Sequence, residues 1–247
     1  MLNAILMASG MGTRMRPLTE TMPKPLIPVC GKPMVETVIE GLIDAGVDNI
    51  YIVVGYLADK FIPFVEKYNT ICKAVGSHIT NIEIIRNPYY ETVNNISSVY
   101  VAREVLRQGD CFVCEADLYV TDKTIFADHP DYSCYYGILR HGFVNDWGFE
   151  TDNTGTITRV GKGVTDCPNM VGVSYLKAKE AAIIADAVES TYGSVGYEEL
   201  FWDDVVDRNL NKLNLKVWPI KEGQIAEIDT VDELREMEEA INKGKAK

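Results

Sequence analysis

The first half of the chain alternates short apolar runs with longer stretches whose apolar residues recur at helical spacing. Residues 2–7, 49–56 and 111–116 are near-continuous apolar runs, as expected of strands buried on both faces. Residues 82–87 form a shorter run of the same kind. Between them, residues 34–45 carry a helical period that stops at Gly46, and 58–68 and 96–107 are also amphipathic. Strand, helix, strand, helix, strand predicts a mostly parallel, Rossmann-like α/β sheet with crossover helices. After about residue 130 the rhythm changes. Residues 132–139, 155–160 and 171–176 read as strands, with a turn at 152–155, and predict a small mixed β extension. A helix is expected over 177–189 and a charged amphipathic one over 231–242. No internal repeat or low-complexity linker divides the chain.

A length of 247 residues and an apolar share of 47% fit one large α/β unit with a sizeable core. The formal net charge of −12 argues against a nucleic-acid binder or an anionic membrane surface as partner. No apolar run is long enough to span a bilayer and no signal peptide precedes the first strand, so the cytoplasm is the expected location. The cysteines, at 30, 72, 111, 114, 134 and 167, sit mostly within apolar runs. Cys111 and Cys114 have CxxC spacing, but positions i and i+3 of a strand face opposite ways, so they read as core thiols. The tail, 242–247, reads either as a frayed terminus or as a linker to a second module, such as another enzyme of the same pathway.

Chemistry concentrates where the first strand ends. Ala8, Ser9, Gly10, Met11, Gly12, Thr13 and Arg14 form a glycine turn, followed by Arg16 and by Lys24 between Pro23 and Pro25. Glycines let backbone N–H groups approach phosphate oxygens, and the strand-to-helix turn of an open α/β sheet is where phosphates bind. Arg14, Arg16, Lys24 and Lys32 supply a local basic pocket on an acidic chain. The turn is neither an ATPase P-loop nor a dinucleotide fingerprint, because the residues that close those motifs are missing. Asp117 follows the strand at 111–116, on the expected ligand edge. Glu227 and Asp229 sit at alternate positions of a later extended segment and share a face. Asp229 is also a candidate N-cap for the last helix, with Thr230 and Asp232 competing. No Ser-His-Asp or metal-binding His spacing occurs at His78, His129 or His141, so covalent catalysis is not expected. A quaternary ammonium is held by aromatic faces and a nearby acid, and Trp147, Tyr175, Phe201, Trp202, Asp203 and Glu227 supply those types; Asp203 and Glu227 suit a primary amine also.

The glycine turn with its Pro-Lys-Pro segment resembles the signature of the nucleotidyltransferases. Residues 90–105, 115–119, 145–147, 172–175, 201–203 and 227–229 come in the same order as in bacterial CTP:phosphocholine cytidylyltransferases and the similar phosphonate cytidylyltransferases. The resemblance implies a nucleotide-diphospho-sugar-transferase type of fold over 1–247. Residues 1–130 would form the nucleotide-binding half; 131–247 would hold the acceptor and end in the C-terminal helix. It implies that Ala8, Ser9, Gly10, Gly12 and Thr13 wrap the triphosphate, with Asn95, Ser97 and Ala116 also on the nucleotide. It further implies that Arg14 contacts the phosphates, that Lys24 stabilises transition-state charge, and that Asp117 and Asp229 hold Mg²⁺. Trp147 falls where that family keeps a choline-facing tryptophan; Phe201 departs from an expected tyrosine. The implied partners are CTP and a small phosphate or phosphonate, with phosphocholine the first choice. The alternatives are 2-aminoethylphosphonate, a sugar 1-phosphate, and a non-catalytic nucleotide-sensing regulator on the same fold.

Overall fold

The computed structural model describes residues 1–75 and 80–244, and only the backbone of 72–75. His78, the end of the tail and the Cys72 side chain lie outside the described residues. Strand β1 (Leu2–Ala8) lies between β2 (Asn49–Val54) and β4 (Asp110–Glu115), with β3 (Asn81–Arg86) beyond β2. All of these neighbours pair in parallel. Helices α1 (Met34–Asp44) and α2 (Phe61–Val75) make the first crossovers. α1 ends where Gly46 takes φ +77°, as the sequence predicts.

The unbroken apolar runs are explained by burial on both faces. Ala4, Leu6 and Ala8 of β1 enter one core beneath α1 and α2, while Ile5 enters a second core on the other face. The same alternation sends Cys114 into the first core and Cys111 into the second, so the pair cannot chelate one ion. Burial pushes the Cys111 and Cys114 thiols well above their usual range.

The expected helix at 96–107 breaks at Ala102 into α3 (Ile96–Val101) and α4 (Arg103–Leu106). The β extension is continuous with the main sheet. Strands β6 (Cys134–Leu139), β7 (Phe143–Thr151), β8 (Ile157–Thr165), β9 (Pro168–Leu176) and β10 (Lys216–Pro219) complete nine strands. The order is β8-β7-β9-β4-β1-β2-β3, with β6 pairing β9 and β10. β9 runs antiparallel to β4 and joins the β extension to the parallel strands. α5 (Ala178–Thr191) covers the second core, and α6 (Trp202–Asp207) packs beside it.

A ribbon of β5 (Leu118–Val120) and β11 (Ile225–Glu227) lies off the sheet. It pairs Glu227 with Leu118, which brings the late acidic segment beside the end of β4. The last helix, α7 (Val231–Asn242), sends Leu234 into a third core with Ile228, Met15, Ile27, Val29 and Met34. That core ties the C-terminal acids to the basic motif after β1. No helix among the described residues is long and apolar enough to cross a membrane.

Candidate active site

A cleft of about 720 Å³ opens over the C-terminal ends of β1 and β4. This is the edge at which open parallel sheets bind ligands. Ala8, Ser9, Gly10, Gly12, Thr13 and Arg14 line it, as the sequence predicts. Gly12 takes φ +58°, and a Cβ there would meet Lys24 Cβ at 2.9 Å and Thr19 Cγ2 at 3.0 Å. Only glycine suits that position. The Gly12 carbonyl accepts from the Thr19 hydroxyl at 2.9 Å and the Met15 N–H at 3.0 Å, which fixes the turn. Among the described residues nothing accepts from the N–H groups of Gly10 through Arg14. They remain available to phosphate oxygens.

The loop is braced from behind by a polar chain the sequence did not reveal. Asn87, just past β3, donates from Nδ2 to the Ser97 and Ser98 hydroxyls at 2.9 and 3.3 Å. Ser98 donates to Ser9 Oγ at 3.2 Å, and Ser9 donates to the Val53 carbonyl at 3.1 Å. Ser97 lines the cleft, but its hydroxyl is committed to the Asn94 carbonyl at 2.8 Å. Asn95 also lines the cleft.

Lys24 is 6% exposed, yet its ammonium sits 2.6 Å from both Asp117 Oδ2 and Asp229 Oδ1. Burial alone would lower its pKa, but Asp117 and Asp229 together hold it above the ordinary lysine value. Arg14 reaches Asp229 Oδ1 at 2.7 Å. Burial would raise the Asp229 carboxyl, but Lys24 and Arg14 hold it below its usual range. Asp229 does not cap α7. Thr230 does, accepting from the Glu233 N–H at 3.2 Å, while Glu233 accepts from the N–H groups of Asp229 and Thr230 at 2.8 Å. That box leaves the Asp229 carboxylate to Lys24 and Arg14 in the cleft.

Two further acids stand beside this pair. Carboxylate oxygens of Glu115, Asp117 and Glu227 lie within 4.8 Å of one another. Burial first, then Asp117, Glu227 and Asp203, push Glu115 well above the carboxylate range. Burial, then Asp117 and Asp229, push Glu227 up to about 8. Gly172, with φ +73°, makes room: a Cβ there would lie 3.0 Å from Glu115 Oε2. An all-oxygen donor set of this kind fits a hard divalent cation such as Mg²⁺. Glu115 is one of the cleft residues that the sequence did not single out, and strand alternation was the signal. Glu115 and Asp117 share the cleft face, so Ala116 between them turns inward. Ala116 is fully buried, with its N–H on the Met7 carbonyl at 3.3 Å, and does not line the cleft.

The acceptor end is only partly as expected. Trp147 and Phe201 line the cleft, packed edge to face at 5.3 Å between centroids. Lys162, also missed, places its ammonium 5.5 Å from the Trp147 ring and 5.1 Å from the Phe201 ring. Tyr175 is not in the cleft. It lies opposite Phe112, and its hydroxyl donates to Asp110 Oδ2 at 3.0 Å, at the start of β4 rather than its end. Asp203 is also turned away. It is 3% exposed and accepts from the buried Tyr135 hydroxyl at 3.0 Å.

Burial pushes the Asp203 carboxyl up to about 7. A folded value above the unfolded one favours folding at low pH, and that contribution is lost as pH rises towards 7. Asp203→Asn keeps an acceptor for Tyr135 without the buried charge. We expect it to gain on the order of 2–4 kcal/mol over the native protein at pH 8, and little at pH 4. Denaturant unfolding across that range measures it; a gain independent of pH would show that Asp203 carries no titration cost.

Comparison with known proteins identifies the family. The "Nucleotidyl transferase" family profile matches residues 3–133. A 2-aminoethylphosphonate cytidylyltransferase of Lancefieldella rimae is 47% identical over 94% of this chain and 90% of its own. A choline-phosphate cytidylyltransferase of Streptococcus pneumoniae is 30% identical over 97% of this chain and 98% of its own. The solved structure of the CTP:phosphocholine cytidylyltransferase from Streptococcus pneumoniae superposes with a TM-score of 0.85 at 31% identity, covering 97% of this chain and 99% of that one. A UDP-glucose pyrophosphorylase shares the fold, with a TM-score of 0.76 at 15% identity over 99% of both chains. The chain therefore belongs to the nucleotidyl transferase family and is an enzyme of the cytidylyltransferase kind.

Proposed function

We propose that this enzyme transfers CMP from CTP to 2-aminoethylphosphonate, releasing pyrophosphate. The observation that carries the choice is the make-up of the acceptor end. The aromatic box expected for a quaternary ammonium is half assembled: Trp147 and Phe201 face the cleft, Tyr175 does not, and the Lys162 ammonium already lies against both rings. The same cleft is lined by Glu115 and Glu227, whose carboxyl oxygens lie within 4.8 Å of one another and of Asp117. A primary ammonium donates charge-assisted hydrogen bonds to carboxylates, which a trimethylammonium cannot do. The 47% identity to a relative named for this phosphonate supports the same choice.

In this reading a phosphonate oxygen attacks the α-phosphorus of CTP. A new P–O bond forms to the acceptor as the bond to the pyrophosphate oxygen breaks. The acceptor is already an anionic nucleophile, so no general base is needed. The N–H groups of residues 10–14 and Arg14 hold the triphosphate, and Lys24 neutralises charge as it moves onto the leaving group. Asp117 and Asp229 would hold a divalent ion, with Glu115 and Glu227 close by. When bound, that ion offsets the charge on the departing pyrophosphate. Glu227 takes the acceptor ammonium.

Two variants test the assignment with both acceptors. Glu227→Gln should raise KM for aminoethylphosphonate about tenfold, the scale of one charge-assisted hydrogen bond, and change that for phosphocholine less. Trp147→Ala should change KM for aminoethylphosphonate less than about threefold. A rise of about thirtyfold for phosphocholine in Trp147→Ala, on a native enzyme that prefers phosphocholine, would establish choline recognition by the indole face instead.

A further inference from the structure

Asn95 is expected to touch the nucleotide, yet its side-chain oxygen is engaged elsewhere. Asn95 Oδ1 accepts from the backbone N–H of Trp202 at 2.9 Å. The donor identifies the oxygen, so the amide nitrogen is the atom left to the cleft. Its neighbour reinforces the link. The Asn94 N–H donates to the Glu198 carbonyl at 2.8 Å, and Asn94 Nδ2 donates to the Glu199 carbonyl at 3.3 Å. Asn94 Oδ1 in turn accepts from the Asn95 N–H at 2.7 Å. The start of α3 is thus laced to residues 198–202.

That segment carries the acceptor wall. Phe201 is the N-cap of α6 and packs against Trp147 across the cleft. From below the segment is already held: Phe201 N–H donates to Asp204 Oδ2 at 2.8 Å, and Trp202 stacks on Tyr135 at 5.7 Å. On the cleft side Asn94 and Asn95 make the polar contacts. We infer that Asn95 is a positioning residue that couples the nucleotide and acceptor sites: its amide nitrogen serves the nucleotide while its oxygen sets the wall bearing Phe201. A nucleotide that fixes Asn95 thereby fixes Phe201, so CTP prepares the pocket for the second substrate. This deepens the proposed function and rests on it for the identity of the acceptor.

Asn95→Asp and Asn95→Ala separate the two roles, because aspartate keeps the oxygen and loses the donor. Asn95→Ala should raise KM for the acceptor about tenfold and speed amide exchange at Trp202, and should raise KM for CTP as well. Asn95→Asp should raise KM for CTP while leaving acceptor KM within about threefold of native and exchange at Trp202 unchanged. An aspartate variant as impaired as alanine towards the acceptor would overturn the coupling. Amide exchange without any acceptor provides an arm independent of acceptor identity. CTP alone, even at saturation, should slow exchange over 199–203 in the native enzyme but not in Asn95→Asp, which lacks the donor, nor in Asn95→Ala. No CTP effect in the native enzyme would refute the inference. Failure of both acceptors with the CTP effect intact would refute only the acceptor assignment.

Discussion

Replacing Lys24 with alanine is expected to lower turnover by a factor of about several hundred, the largest single loss at this site. The side chain is buried and its ammonium is the meeting point of Asp117 and Asp229, each 2.6 Å away. A preorganised cation in a water-poor site stabilises developing phosphate charge without reorganising, an effect of about 3–4 kcal/mol by analogy with a single oxyanion donor. Pro23 and Pro25 stiffen the segment that presents it. The structure also predicts a loss of stability. Without Lys24, Asp117 and Asp229 face Glu115 and Glu227 across a few ångströms with only Arg14 to offset them. Breaking a largely buried ion pair costs about 3 kcal/mol or more. Lys24→Met, which keeps the bulk, should therefore melt lower at pH 8 than the native protein and regain part of the difference in excess Mg²⁺. Pyrophosphate release at saturating substrates gives the rate; near-native turnover in Lys24→Met would remove Lys24 from the mechanism.

Asp117→Ala and Asp229→Ala should each reduce activity by at least about a hundredfold, and the double variant should lose little more than the worse single one. They act as one unit for a visible reason. Both grip the Lys24 ammonium, and Asp229 also holds Arg14, so removing either acid releases the same cation. Residues that share a partner do not contribute additively. Losses that multiply in the double variant would mean that the acids do separate jobs. Mg²⁺ titration of each single variant supplies a second readout, since weakened ion binding shifts the half-saturating concentration upward.

Much of the architecture was legible because burial writes itself into patterns. The run at 2–7 had to be a central strand, since Ile5 and Leu6 enter opposite cores. The glycine turn and Lys24 were legible because Gly12 packs directly against Lys24, so motif and geometry are one constraint. What failed was orientation along strands and the anchoring of short elements. Tyr175 is an aromatic in the right strand at the wrong end, and only the pairing with Phe112 places it beside Asp110. Ala116, which the resemblance puts on the nucleotide, is one step of alternation from Glu115 and faces the core instead. α6 has little pattern of its own; Asn95 and Tyr135 hold it in place from elsewhere, and its own Asp204 fixes the Phe201 N–H at its start. β7 escaped notice because its polar residues at 145, 146 and 150 are exposed and obscure the period. Lys162 became a candidate only when its ammonium appeared over two rings.

The most direct measurement is a competition in one tube. The native enzyme is given CTP and Mg²⁺ with equal, excess 2-aminoethylphosphonate and phosphocholine, and products are resolved by ³¹P NMR. The account predicts pyrophosphate together with a mixed phosphate–phosphonate anhydride as the dominant product, and CDP-choline in small amount. Dominant CDP-choline would contradict it and return the Trp147–Phe201 pair to the role of a choline site.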